Sequence, residues 1–136
     1  MLVLTDQQRA DQYGFSSGGH WPTPTIDALA GGGVVFGQAP TASTTCVPAR
    51  AGLLTGLLHH RVRRVPDGLA LAPGEWTLAR ALRSAGYQTA LVGKMHLTPV
   101  HADHGFDTMR MCEDLRLAGG YGTDDVDDYH RWLVAR

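Results

Sequence analysis

The sequence contains very little lysine, little cysteine and no long apolar run. Only one of its twelve basic residues is a lysine, and two cysteines occur in 136 residues. Two cysteines cannot form the framework of a disulfide-rich scaffold, so we expect both to be thiols. No apolar stretch approaches the roughly 20 residues that a membrane-spanning helix requires. The sequence therefore predicts no membrane-spanning segment and a single small domain built around a hydrophobic core.

The sequence also has no large excess of charge of either sign. Twelve basic residues face thirteen acidic ones, which gives a formal net charge of -1. This balance provides no general attraction to nucleic acid or to an anionic membrane, so we expect neither as a partner. Met1 leads directly into apolar residues with no visible signal peptide. Location is left open, with a cytoplasmic protein expected if Met1 is the true start.

The hydrophobic pattern alternates between short β-rich runs and amphipathic segments. It predicts strands at residues 2–5, 34–36 and 89–92, helices at residues 24–30, 48–55, 75–85 and 124–136, and mostly loop at residues 57–73. Pro24 fits the first position of one helix, and Gly56 and Gly86 fit the ends of two others. A helix followed by a strand favours a crossover unit. We therefore predict an α/β fold with a mostly parallel sheet flanked by helices.

Polar residues follow two of the predicted strands at the point where each strand ends. Asp6 and Gln7 come after the first strand, and Lys94 and His96 come after the strand at residues 89–92. In open α/β sheets, ligands bind at the carboxyl ends of the strands. Taken alone, each pair is also explained as ordinary polar residues at a strand end. Both pairs are candidate site residues.

The most specific pattern is C-x-P-x-R, formed by Cys46, Pro48 and Arg50. The cysteine lies just before a predicted helix, where backbone N–H groups and the helix dipole favour a bound dianion such as sulfate. The alternative is a small buried cysteine before a helix that begins with proline.

This motif resembles the modification signature of type I, formylglycine-dependent sulfatases of the alkaline-phosphatase-like superfamily. The resemblance continues in family order from Leu2 to about Trp132, through the segments at residues 4–11, 23–30, 93–97 and 105–107. It implies that residues 1–136 are the N-terminal, incomplete part of a sulfatase catalytic domain. It also implies further metal ligands beyond Arg136, so we expect these residues alone to be inactive.

The resemblance assigns a role to each catalytic candidate. Cys46 would be oxidised to formylglycine by a maturation enzyme that reads the Cys, Pro and Arg of the motif. Its hydrate would supply the oxygen that attacks the sulfur of a small-molecule sulfate ester, and the second hydroxyl would then expel sulfate. Arg50 and Lys94 would hold the anion, and His96 would bond to or protonate the leaving oxygen.

The resemblance also implies a divalent metal. Asp6, Gln7 and the oxidised Cys46 would be ligands, with calcium expected most and magnesium or manganese possible, because hard cations prefer oxygen ligands. Gln7 replaces an aspartate of the common family pattern, as in choline-sulfatase-like and phosphonate-monoester-hydrolase-like relatives, and this lowers the ligand charge by one. Two alternatives stay open: a phosphonate monoester or phosphodiester hydrolase that uses the same formylglycine, and an unmodified, non-catalytic structural module.

Overall fold

The chain consists of mixed helices and a small parallel sheet. A computed structural model describes residues 1–16, 18, 20–58, 71–72, 74–97, 101–113 and 127–136. The helices are Pro24–Gly32 (α1), Cys46–Thr55 (α2), Leu78–Ser84 (α3) and Asp128–Val134 (α4), the strands are Ala90–Gly93 (β1) and Thr108–Met111 (β2), and Ala10–Gln12 forms a 3₁₀ helix. The predicted α/β class is confirmed. The chain divides into two compact units, Met1–Pro40 and Thr41–Arg136.

Helix α1 is the main regular element of the Met1–Pro40 unit. Pro24 occupies its first position, as predicted, and the helix continues two residues past the predicted end at residue 30, to Gly32. Thr23 stands at the N-cap but makes no side-chain cap bond. Its hydroxyl instead accepts the N–H of Gly14 at 2.8 Å and bonds to the Asp27 carboxylate at 2.8 Å. Thr23 therefore ties the preceding loop to α1.

The strands predicted at residues 2–5 and 34–36 are not formed, so those two predictions are wrong. The side chains of residues 2–4 are 51% to 73% exposed, and those of residues 34–36 are 48% to 81% exposed. A strand requires hydrogen bonds to a neighbour, and among the described residues the only paired strands are β1 and β2. Apolar, β-branched residues supply the propensity for a strand but not its partner.

The sheet of the Thr41–Arg136 unit is the parallel pair β1 and β2, with Ala90 opposite Thr108 and Gly93 opposite Met111. β1 confirms the strand predicted at residues 89–92, shifted by one residue. β2 was not predicted. The Asp107 carboxylate accepts the N–H of Thr89 at 2.8 Å and its hydroxyl at 2.9 Å. The segment at residues 105–107, predicted to be architectural, thus aligns the starts of both strands.

Helix α3 precedes β1 and is shorter than the predicted helix at residues 75–85. The Thr77 side chain caps it by accepting the N–H of Arg80 at 3.2 Å. Leu78 and Leu82, members of the predicted apolar face, are 44% and 39% exposed, whereas Ala79 is 2% exposed. The buried face of α3 is therefore the one with the small side chain of Ala79. A small side chain lets neighbouring segments approach the helix more closely than a leucine would.

Helix α4 begins at Asp128, after an Asp127 side chain that accepts the N–H of His130 at 2.8 Å. It confirms the C-terminal part of the helix predicted at residues 124–136. Residues 124–126 of that helix, and residues 59–70 and 73 of the predicted loop, lie outside the described residues. None of the helices in the described part of the chain has the length and apolar character needed to cross a bilayer.

The core of the Thr41–Arg136 unit joins α2, the end of β1 and β2. Its buried members are Val47, Ala51, Leu71, Met95, Leu97 and Met111. Two of them come from the first two turns of α2, and two come from the segment that follows β1. The core therefore fixes the beginning of α2 against the carboxyl end of β1, where the candidate residues lie.

Gly105 is a position where the fold requires glycine. Its φ is 97°, and a Cβ there would lie 2.7 Å from the backbone nitrogen of Arg80. A strained backbone of this kind costs about 1–3 kcal/mol in a residue other than glycine. We predict that Gly105→Ala lowers the free energy of unfolding by more than this amount, because the Cβ clash adds to the strain. Gly86→Ala is the matched control, because Gly86 has a φ of 86° and open space around its Cβ position. Urea unfolding of both variants tests this, and equal losses would contradict it.

Candidate active site

Cys46 is the first residue of α2. The helix begins at Cys46 and not at Pro48, because the backbone N–H of Ala49 already donates to the Thr45 carbonyl at 3.1 Å. Val47 and Ala51 are buried in the core, and the half-buried Cys46 packs against it. Gly56, in the left-handed conformation with a φ of 70°, ends the helix as predicted. The thiol is therefore held at a helix start by a packed first turn.

The second candidate element is the segment at residues 93–97, which follows β1 directly. Gly93 has a φ of 103° and turns the chain out of the sheet. Met95 and Leu97 are buried in the core, and Lys94 and His96 are half-buried. The core thus anchors every second residue of the segment, and Lys94 and His96 alternate with these anchors at the carboxyl end of a parallel strand. This is the position that the sequence predicts for them.

Arg50 connects the two elements. Its Nη1 donates to the backbone carbonyl oxygen of Lys94 at 2.6 Å, across 44 residues of sequence. The shared core reinforces this bond. The structure thus brings together the beginning of α2, with Cys46 and Arg50, and the 93–97 segment, with Lys94 and His96. Arg50 has an architectural contact that the sequence did not reveal, beside the anion-holding role expected of it.

Glu113 also contacts the 93–97 segment and was missed by sequence reasoning. Its carboxylate accepts the backbone N–H of Met95 at 2.9 Å and that of His96 at 2.8 Å. These partners lie 18 and 17 residues away in sequence. A bond from a side chain to a distant backbone leaves no local pattern. The only available signal was that the chain contains just two glutamates.

The two cysteines are both free thiols, as expected. Cys112 follows β2, and its backbone N–H donates to the Gly93 carbonyl at 3.1 Å. Although Cys112 is exposed, desolvation raises the pKa of its thiol, and the negative charges of Asp127 and Glu113 raise this pKa further. These effects disfavour the thiolate, which is the nucleophilic and metal-binding form of cysteine.

Asp6 and Gln7 belong to the Met1–Pro40 unit, and both are exposed. Their carboxylate and amide oxygens are the donors that calcium or magnesium prefers, and they would supply two of the about six to eight oxygens that calcium takes. Within the described ranges, no group of three or more His, Cys, Asp or Glu residues is arranged to hold a metal ion. As donors, the two residues fit part of a hard-cation site.

Backbone strain marks two of the candidate residues. Among the described residues other than glycine, positive φ angles occur at Gln7 (54°), His96 (61°) and His104 (44°). Such conformations cost about 1–3 kcal/mol each and cluster at functional sites, where the surrounding structure maintains them. The strain at Gln7 and His96 is an observation independent of the motifs that first singled out these residues.

The chain is similar to known proteins along nearly its whole length. A profile of the family described as "Sulfatase" matches residues 1–130. The chain is 38% identical over 97 residues to the uncharacterized sulfatase YidJ of Escherichia coli, covering 71% of this chain and 20% of that protein. It is 32% identical over 142 aligned positions to an arylsulfatase of Clostridium perfringens, covering 98% of this chain and 29% of that protein.

A choline-sulfatase of Rhizobium meliloti is 33% identical over 125 residues, covering 92% of this chain and 24% of that enzyme. The chain thus spans between 20% and 29% of the length of these three relatives. The family profile covers nearly all of the chain, including every candidate site residue. The chain therefore belongs to the sulfatase family.

Proposed function

We propose that residues 1–136 are the N-terminal part of a sulfatase catalytic domain, and that the protein hydrolyses sulfate esters with a nucleophile derived from Cys46. The observation that carries the proposal is the 2.6 Å hydrogen bond from Arg50 to the Lys94 carbonyl, since it joins the C-x-P-x-R motif to the strand end that bears Lys94 and His96. Membership of the sulfatase family supports the same reaction.

In this proposal, a maturation enzyme recognises the C-x-P-x-R motif and, with an oxidant that it supplies, converts Cys46 to formylglycine: the Cβ carbon becomes the aldehyde carbon and the sulfur leaves. The hydrated aldehyde carries the oxygen nucleophile that a thiol cannot supply. Cys46 lies at the first position of a ten-residue helix. Backbone N–H groups and the helix dipole at such a position favour a sulfate dianion, so the substrate would be drawn to the nucleophile.

The neighbouring side chains divide the remaining tasks. The compact ammonium of Lys94 would bind a sulfate oxygen and stabilise the charge that develops on the transferring group. The Arg50 guanidinium, with five N–H donors, would bond to the same anion in addition to the Lys94 carbonyl. His96 would donate a proton to the oxygen that leaves with the alcohol.

A divalent cation completes the proposal. Asp6, Gln7 and the oxidised Cys46 would be its ligands from this chain, with calcium preferred, and the remaining ligands would come from outside residues 1–136. When bound, the cation would neutralise charge on the sulfate group. Because Gln7 is uncharged, these residues contribute one negative charge fewer than a pair of aspartates would.

The test is a comparison of two substrates on the full-length, matured protein. We expect the rate constant kcat/KM for an aryl sulfate to exceed that for an aryl phosphonate monoester, because the three relatives described above are named as sulfatases. Faster turnover of the phosphonate would favour the phosphonate monoester or phosphodiester alternative. Turnover of neither substrate would contradict the proposed function.

A further inference from the structure

The Glu113 carboxylate binds two consecutive backbone N–H groups in the segment that carries the candidate catalytic residues. Its Oε1 accepts from Met95 at 2.9 Å and from His96 at 2.8 Å, and its Oε2 accepts from His96 at 3.0 Å. Hydrogen bonds to an ionised acceptor are roughly twice as strong as those between neutral groups. The half-buried Glu113 thus anchors the two peptide groups that flank Met95.

This anchor lies where the backbone is strained. His96 has a φ of 61°, a conformation that a residue other than glycine keeps only when its surroundings impose it. The Lys94 carbonyl is fixed by Arg50 from one side, and the N–H groups of Met95 and His96 are fixed by Glu113. Together these bonds fix the direction in which the chain leaves β1.

Glu113 is itself held in place. Its backbone N–H donates to the Asp127 carboxylate at 2.6 Å, and the same carboxylate accepts the N–H of His130 at 2.8 Å at the start of α4. Asp127 is buried, which raises its pKa, but the hydrogen bonds from His130 and Glu113 outweigh burial and lower it overall. Asp127 is therefore a carboxylate at neutral pH. Helix α4 supports Glu113 through this buried charge.

We propose that Glu113 is a positioning residue of the sulfatase reaction, which fixes the 93–97 segment so that Lys94 and His96 meet the sulfate ester in a productive geometry. This inference rests on the proposed function. Glu113 acts through the backbone of the segment and does not touch the substrate. Because a misplacement of about 1 Å can cost about 100-fold in rate, the loss of this anchor has a measurable consequence for catalysis.

The first test uses the full-length, formylglycine-bearing protein. Glu113→Ala is expected to lower kcat by about 100-fold with unchanged formylglycine content. Glu113→Gln is expected to recover part of the rate, because the amide oxygen still accepts an N–H group. Glu75→Ala is the matched control, since Glu75 is the other glutamate of the chain and is also half-buried. Wild-type kcat in both Glu113→Ala and Glu75→Ala would overturn the inference.

A second test separates positioning from a general loss of stability. His96→Asn removes the proton donor with a residue that tolerates positive φ. If Glu113 acts through the 93–97 segment, adding Glu113→Ala to His96→Asn lowers kcat by a much smaller factor than it does in the wild-type protein. Equal factors in both backgrounds would show independent effects and would overturn the inference.

A third readout does not require activity. Hydrogen exchange at the amides of Met95 and His96 is expected to be slow in the wild-type protein and faster in Glu113→Ala, and unchanged protection would overturn the anchor. The proposed function fails in a different way: wild-type protein with formylglycine at position 46 and no sulfatase turnover would contradict it. An active wild-type protein together with an equally active Glu113→Ala variant would contradict only the positioning role of Glu113.

Discussion

Replacing Cys46 by alanine is expected to lower sulfatase kcat by at least about 10³-fold, because the loss of a covalent nucleophile removes the reaction path itself. Alanine is a good helix former and is smaller than cysteine, so α2 and the core around it are expected to persist. The measurement is turnover of an aryl sulfate by the full-length protein after co-expression with a formylglycine-generating enzyme. Circular dichroism of the same preparations verifies that the fold is kept.

Cys112→Ala is the matched control for this prediction. Cys112 is the other free cysteine, is exposed, and has a raised thiol pKa. The substitution leaves its backbone bond to Gly93 in place. We expect near wild-type turnover from Cys112→Ala. A Cys46→Ala variant as active as the Cys112→Ala variant would show that position 46 does not supply the nucleophile.

Replacing Asp6 by alanine is the second change with a large expected effect. Mutation of a group that hydrogen-bonds to a metal ligand typically weakens metal binding by about 10–100-fold. Asp6 is proposed to be a ligand itself, so we expect its removal to weaken calcium binding by more than this factor. Equilibrium dialysis of the full-length protein against calcium measures this directly. Sulfatase turnover is expected to fall in parallel and to recover partly at high calcium concentration.

Asp11→Ala separates a ligand effect from a change of charge in the same segment. Asp11 is exposed and forms a surface ion pair with Arg9 at 2.5 Å. Such pairs contribute little to stability, so we expect Asp11→Ala to leave calcium affinity unchanged. Equal calcium affinity in Asp6→Ala and the wild-type protein would remove Asp6 from the ligand set.

Helix positions could largely be predicted from the sequence, because helix signals are local. Pro24, Gly56 and Gly86 mark helix boundaries by their own backbone preferences, and α1, α2 and α3 begin or end near them. The strand at β1 was also predictable as an apolar run before a glycine. The buried face of α3 could not be predicted, because it depends on the close approach of Gly105 to Arg80.

Strands and side-chain anchors were harder to predict, since both depend on partners distant in sequence. The apolar residues 2–4 and 34–36 have strand propensity but no pairing partner among the described residues. β2 alternates polar and apolar residues over only four positions, too few for a clear period. The positions of Lys94 and His96 followed from the strand-end rule. The role of Glu113, which fixes the backbone between Lys94 and His96, did not follow from any local pattern in the sequence.

We propose that Cys46 is oxidised to formylglycine, so that its Cβ becomes the aldehyde carbon and its sulfur is lost. The most direct measurement is mass spectrometry of the proteolytic peptide containing Cys46, after co-expression of the protein with a formylglycine-generating enzyme. We expect a peptide whose mass is lower by the difference between a thiol and an aldehyde side chain, and no such species from Cys46→Ala. If Cys46 stays entirely a thiol under these conditions, the result would contradict the proposed enzymatic function and favour an unmodified structural module.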